Sequence, residues 1–421
     1  MKEKTQNMKN ISLYFSSLIM FFAVVLFLHS GYVYIYINPM TPNLNGISLF
    51  GDWLYVLDTI KCYNKNVDII SNNYCVGGGS PYIYGTSLLY LPFAEKFYKF
   101  YYNITPYILI FSVILFLNLQ FKPKKIKEYL IIILLIFSTP LMLSFERMNV
   151  ELLLFIFLII ISFFKNIYIQ NILILIIAAI KYYPIVSYII ILFLRKNLKN
   201  FLIFGLFILL SLGLFYLDRG QILSIKNSQT YYIPSIENVG MLIISFYSLA
   251  ELSKSVVLEL SILSGNLAYN IVLIISYAVF LYCLIRYFFF KESNKNNIDL
   301  SIDYFEDKLF ILSSTILFAV FFLNMSFIYK EIYLIGLIPF LKKNIEIRKL
   351  KLIHDLILFK FIALTFTWII QITIFDESIY AKGFNILIKD LLDMILIFLL
   401  LSVVLPVLRK KIFELFLQFK N

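Results

Sequence analysis

Apolar residues fall in long runs rather than at alternate or every third and fourth positions, and short polar, mostly basic, segments separate the runs. An apolar stretch of about 18 or more residues reads as a membrane-crossing helix, because about 20 residues of helix cover about 30 Å of hydrocarbon. Such stretches centre on 11–30, 104–119, 129–145, 150–164, 201–216, 267–287, 309–327, 352–375 and 386–408. The pattern predicts an all-α, polytopic transmembrane bundle of about 9–11 spans with short re-entrant or interfacial helices.

Two stretches do not fit a simple crossing. Between Lys165 and the run Arg195, Lys196, Lys199, the apolar sequence is interrupted by Lys181-Tyr182-Tyr183-Pro184. Both basic flanks belong on one side of the membrane, so a helical hairpin with its apex at 181–184 satisfies them and puts Pro184 at a helix start. Residues 331–341 are too few for an upright crossing and predict a short or half-buried helix ending at Lys342 and Lys343.

The basic punctuation orients the chain. The N-terminus with Lys2, Lys4 and Lys9, then 122–127, Lys165, 195–199, 286–295, 342–351 and 409–411 face the cytoplasm, so both termini are cytoplasmic. Segment 11–30 is an anchor rather than a cleaved leader, since it is long and lacks a small-residue cleavage site. On the opposite side lie the long loop 36–103, the turn 146–149, the hairpin apex, the segment 218–266, the turn 324–330 and 376–383. Loops this long are usually functional or disordered, and the Trp, Tyr and Pro content of 36–103 argues for order, with 53–60 and 87–91 as interfacial helices. The organisation is then a transmembrane module over 1–340 followed by further helices over 341–421.

Composition agrees: 61% of residues are apolar, 18% aromatic and 15% charged, which excludes a soluble domain. The net charge of +12 resides in the punctuation, so it meets anionic lipid rather than nucleic acid. Cys62 and Cys75 share the first loop, where an oxidising compartment would permit a disulfide; their spacing fits no zinc pattern, and no metal is implied. Cys283 falls inside a span.

Ionisable residues at membrane depth are costly and mark either a function or a buried pair. Glu146, Arg147, Lys181, Arg219, Lys330 and Glu331 all fall at the non-cytoplasmic ends of predicted helices. Singly, each could only snorkel or pair locally, Glu146 with Arg147 or Lys330 with Glu331. Asp52, between Gly51 and Trp53, is either a general base in a partly desolvated interface or a helix N-cap, and Asp58 follows six residues later. The loop then turns through Gly77-Gly78-Gly79-Ser80-Pro81-Tyr82-Ile83-Tyr84-Gly85, whose aromatics with polar tips suit sugar rings. It lacks the Lys-Ser/Thr ending of a phosphate-binding loop. Among residues at mid-span, Lys360, Lys389, Asp390 and Asp393 stand out, and Lys389 with Asp393 reads as a pair one turn apart.

In order along the chain, Phe50-Gly51-Asp52, the Pro-Tyr-x-Tyr-Gly and Leu-Pro-Phe segments, Glu146-Arg147-Met148-Asn149, Lys181-Tyr182-Tyr183-Pro184 and Tyr329-Lys330 resemble the integral-membrane GT-C glycosyltransferases. Family 87, the polyprenyl-phosphate-mannose-dependent mannosyltransferase-like proteins, is the nearest in pattern. The chain departs from it at Met148, where Gly is common, at Glu151, where Asp is common, and at Gly85, where Pro is common. The resemblance implies an inverting hexosyltransferase that moves a sugar from a polyprenyl-phosphate carrier to a glycolipid or glycan acceptor, without a cofactor. It further implies Asp52 as general base, Arg147, Lys181 and Lys330 on the donor phosphate, and Asp58, Tyr82, Tyr84, Glu146, Asn149, Tyr183 and Tyr329 around the sugar or acceptor. The expected location is a bacterial inner membrane with the site facing the periplasm or exterior. Two other readings stand beside it: an O-antigen-type polymerase or ligase, whose dominant loop would come later in the chain, and a transporter of lipid-linked glycans, which would need charge along a path through the bilayer.

Overall fold

A computed structural model describes residues 2–30, 49–69, 84–91, 96–193, 198–220, 243–244, 303–323, 326–373 and 379–420, with scattered positions between 267 and 301. The first-loop positions Cys75 and Tyr82, Cys283, and most of 218–266 lie outside them. The described chain is helical except for one two-residue antiparallel ladder pairing Ile243 with Phe327 and Ile244 with Ser326.

The first helices are α1 (Lys2–His29), α2 (Gly51–Asn64), α3 (Tyr98–Asn103), α4 (Thr105–Phe121), α5 (Ile126–Ile136) and α6 (Thr139–Arg147). They are followed by α7 (Val150–Phe163), α8 (Ile167–Ile180), a 3-10 helix (Tyr183–Phe193), α9 (Leu198–Leu217) and α10 (Phe305–Leu323). A second 3-10 turn (Ile328–Glu331) leads through α11 (Ile332–Ile335) and α12 (Ile338–Lys343) to α13 (Arg348–Thr373) and α14 (Ile379–Lys420). Ile11–His29, Tyr98–Phe121 and Leu391–Glu414 are long and apolar enough to cross a membrane, and α5 with α6, bent by 52°, adds a fourth if taken as one broken span. The described chain is thus all-helical but for that ladder, with three to four helices able to cross a membrane by length and composition.

Local sequence explains the breaks. Pro106, Pro140 and Pro339 sit in the first turns of α4, α6 and α12, where a missing N–H leaves no bond unmade. At the α5–α6 bend Ser138 Oγ donates to Leu135 O at 2.6 Å, closing the end of one helix just before Pro140 opens the next. Asn166 caps α8, accepting from Tyr168 N at 2.9 Å. The expected 166–199 hairpin is present as α8 packed against the 3-10 helix, with its apex at Lys181 and Tyr182.

Apolar faces sort by neighbour. α1 lies on α4 through Phe21 and Phe111, ring centroids 5.6 Å apart and edge-on, while its outer face leaves Ile11 66% exposed, as a lipid-facing helix does. In the interior Phe155 of α7 meets Phe116 and Tyr333 edge-on, and Phe310 lies on Phe340 at 4.3 Å. Gly336, at the break between α11 and α12, lets α10 close in: a Cβ there would lie 2.2 Å from Ser313 Oγ.

One end of the bundle is stitched by lysines to helix carbonyls. Lys342 Nζ donates to Phe121 O at 2.8 Å, Lys308 Nζ to Phe164 O at 2.5 Å, and Lys343 pairs with Asp307 at 3.1 Å. α7 and α8 run from this basic end to the candidate site, and each has only 14 residues. At 1.5 Å per residue they cover about 21 Å, roughly 10 Å less than a hydrocarbon core.

Candidate functional site

Two sharp turns dock and create the centre of the site. Phe50 and Met148 both take left-handed backbone, with φ of 65° and 50°, and Phe50 N donates to Glu146 O at 2.7 Å. This brings the start of α2 against the junction of α6 and α7. Asp52, in the first turn of α2, then meets Arg147 Nη2 at 3.1 Å and accepts from Asn149 Nδ2 at 2.6 Å. Phe50, not Asp52, occupies the N-cap position, so the capping role considered for Asp52 is corrected: its carboxylate faces another helix.

Asn149 does two jobs. It is the N-cap of α7, its Oδ1 accepting from Glu151 N at 3.0 Å, while its amide nitrogen holds Asp52. Arg147 is partly used: Nη2 is on Asp52, but Nη1 is buried and has no hydrogen-bond partner among the described residues. Glu146 is also buried, and its Oε2 has no partner among them. The local pairing of Glu146 with Arg147 is therefore replaced by a tertiary one.

In the first turn of α7, fully buried Glu151 gathers a second group. Lys181 Nζ lies 3.0 Å from its Oε1, and the hydroxyls of Tyr183 and Tyr333 both donate to its Oε2, Tyr333 at 2.7 Å. Lys330 stands over the Tyr183 ring at 5.5 Å. Burial holds its ammonium down to a pKa of about 8, with Glu151 acting against that shift and Lys181 reinforcing it.

The segment 84–91 closes this group from the side. Gly85 N donates to Ile180 O at 2.8 Å and Ser87 Oγ to Ala179 O at 2.6 Å, so two carbonyls at the end of α8 are satisfied by the first loop. A Cβ on Gly85 would lie 1.8 Å from Ala179 O. Tyr84 is thereby placed under Lys181, 4.9 Å from the ammonium to the ring centre. The 87–91 stretch falls in a 3-10 turn, Thr86–Tyr90, whose Leu88 and Leu89 are buried against the bundle while Ser87 caps the end of α8.

Of the residues singled out in the sequence, Asp52, Arg147, Asn149, Lys181, Tyr183, Tyr84 and Lys330 come together here. Asp58 does not: it points along α2 to Lys61 at 3.1 Å and to Tyr98 OH at 3.0 Å. The side chain of Tyr329 and all of Tyr82 lie outside the described residues. Glu151, noted in the sequence only as a departure from the family pattern, and Tyr333, not noted at all, are central; a carboxylate in the first turn of an apolar helix was the available signal. No three His, Cys, Asp or Glu residues gather as metal ligands among the described residues.

Two further pairings are tertiary. Glu331 reaches Lys360 at 2.8 Å and Asp393 also binds Lys360, while the side chain of Lys389, the expected partner of Asp393, lies outside the described residues. At Cys62, buried in α2, the thiol is in a disulfide whose partner lies outside the described residues.

Compared with protein-family models, curated proteins and solved structures, the chain has no significant match. The functional reading therefore rests on the residues themselves.

Proposed function

We propose that the chain is a membrane glycosyltransferase of the GT-C kind, moving a sugar from a polyprenyl-phosphate carrier to a glycolipid or glycan acceptor at a non-cytoplasmic face. The observation that carries this reading is Arg147: a half-buried guanidinium whose Nη2 is on the Asp52 carboxylate and whose Nη1 is buried without a hydrogen-bond partner among the described residues, one helix start away from the Glu151 group that holds Lys181 and Lys330. A guanidinium with a buried, unspent N–H group suits an anion, and its planar fork suits a phosphate through two parallel bonds. The apolar helices around it suit the carrier's hydrocarbon tail.

The chemistry follows from the same geometry. The acceptor hydroxyl oxygen attacks the anomeric carbon as the carbon–oxygen bond to phosphate breaks, and the bonding pair leaves with the phosphate. Arg147, Lys181 and Lys330 offset that growing charge. The hydroxyl proton passes to Asp52. Donor phosphate competes with Asp52 for Arg147, so binding frees Oδ1 of the carboxylate for the proton while Asn149 keeps Oδ2 oriented. The Cys62 disulfide, at the far end of the helix that carries Asp52, supports a site on the oxidising side of the membrane.

The test is transfer of radiolabelled sugar from defined polyprenyl-phosphate sugars by the protein in lipid, wild type against Asp52→Asn. Loss of transfer by about 10² to 10⁴ with donor binding retained supports the assignment. A fully active Asp52→Asn removes the base, and no transfer from any such donor removes the reading. One observation favours a transporter instead, namely charge at depth on Lys360, Glu331 and Asp393. Movement of a fluorescent lipid-linked glycan across protein-containing vesicles, without transfer, would select that reading.

A further inference from the structure

The charged cluster at Lys360 lies outside the candidate site and draws on three elements. Lys360 of α13 has no exposed surface; its Nζ is 2.8 Å from Oε2 of Glu331 and also binds Asp393 of α14. Glu331 is 1% and Asp393 6% exposed at the side chain. The hairpin of α13 and α14 is antiparallel, with Lys349 Nζ on Ser402 O at 3.2 Å. Eleven residues of helix separate Lys349 from Lys360, about 16 Å, or half a hydrocarbon core. Ion pairs so placed are costly to assemble, since both partners must be stripped of water, and a cluster held there needs a reason other than stability.

Its placement supplies one. Glu331 ends the 3-10 turn Ile328–Glu331, and Lys330 is the residue before it. That turn packs against α6 and α11, and its short helices have few hydrogen bonds with which to fix a direction. Neither carboxylate oxygen of Glu331 has a hydrogen-bond partner among the described residues, so its ion pair with Lys360 is the polar contact that ties this carboxylate to the rest of the bundle.

We infer that Lys360 is a positioning residue: by gripping Glu331 from the C-terminal hairpin, it fixes the turn that presents Lys330 to the Glu151, Lys181 and Tyr183 group. The residues after 340, none of whose described side chains is in the site, are then part of its working unit. The functional consequence rests on the reading of the site as a lipid-phosphate site, but the positional claim does not.

Lys360→Met alone leaves two carboxylates buried without a counter-charge and risks misfolding, so the decisive protein is the triple variant Glu331→Gln/Lys360→Met/Asp393→Asn, which removes charge without adding bulk. It is compared with the native background and with Lys360→Arg, each also carrying Lys330→Cys for labelling by a water-soluble maleimide. The inference expects labelling at 330 to change about tenfold in the triple variant and to stay native in Lys360→Arg. Without Lys330→Cys, affinity for geranylgeranyl phosphate in nanodiscs falls about tenfold in the triple variant. A folded triple variant with native labelling overturns the inference, because the cluster then only balances its own charge. If the native protein binds no geranylgeranyl phosphate, the lipid-phosphate reading falls and the labelling result still decides the positional claim.

Discussion

At the scale of single residues, Asn149 shows how one side chain serves fold and chemistry together. Its Oδ1 caps α7 while Nδ2 holds Asp52 at 2.6 Å. Asn149→Ala should lower stability by about 1 kcal/mol, the usual value of a lost cap, and also slow transfer. Asn149→Asp should restore the cap but place a second carboxylate against Asp52, so thermal stability recovers in part while the transfer rate does not. Melting and transfer measured on both variants check this. Gly85 is the other sharp case: Gly85→Ala puts a methyl 1.8 Å from Ala179 O, and the segment 84–91 must lift from the end of α8. Faster cleavage in that segment on limited proteolysis, with weaker donor binding as Tyr84 leaves Lys181, is the expected result. These residues also mark the limit of the sequence. Asp52, Arg147 and Lys181 were legible as polar groups at the ends of apolar runs. The role of Glu151, which the sequence marks only as a departure from the family pattern, was not, because its partners Tyr183 and Tyr333 lie 32 and 182 positions away.

At the scale of elements, the apolar runs gave most helices, since a run long enough for lipid is hard to fold in any other way. The 166–199 hairpin was legible because two basic flanks cannot lie on opposite sides without contradiction. The bend of α5 and α6 was not, as a Ser-Thr-Pro sequence allows either a straight or a broken span. Nor was the contact of Asp393 with Lys360 on another helix, because local pairing rules reach only one turn along the chain while a buried partner interacts strongly in a low dielectric. The turn carrying Lys330 leads to a pH prediction. Its ammonium has a pKa of about 8, below the ordinary 10.5, because burial disfavours charge. Between those values the unfolded chain binds more protons than the folded one, so this residue's contribution to stability rises with pH across that window. Phosphate binding runs the opposite way. Affinity for geranylgeranyl phosphate should fall as pH rises past about 8, and titrating it in wild type and Lys330→Met should show the dependence only in wild type.

At the scale of the whole molecule, the basic end and the site end are separated by α7 and α8, and their sidedness is open to direct measurement. Lys65, just past α2, and Lys127, at the start of α5, are both exposed. With a membrane-impermeant maleimide applied to intact spheroplasts, Lys65→Cys should label and Lys127→Cys should label only after permeabilisation. The opposite pattern would put Asp52 in the cytoplasm and end the case for a carrier presented outside. The C-terminal hairpin enters at this scale as well, since Lys360 joins it to the turn beside the site.

The 14-residue helices α7 and α8 carry a consequence for the surrounding lipid. Against a matrix roughly 10 Å thicker than they are, the bilayer must pucker beside them, drawing head groups and water down as into a dimple. A carrier with a very long tail would find its phosphate lowered to the level of Arg147 and Lys181 without leaving its own leaflet. The protein would then be sensitive to thickness itself: reconstituted in progressively longer-chain lipids, it should lose its hold on the carrier as the dimple becomes too steep to form, with every side chain of the site unchanged.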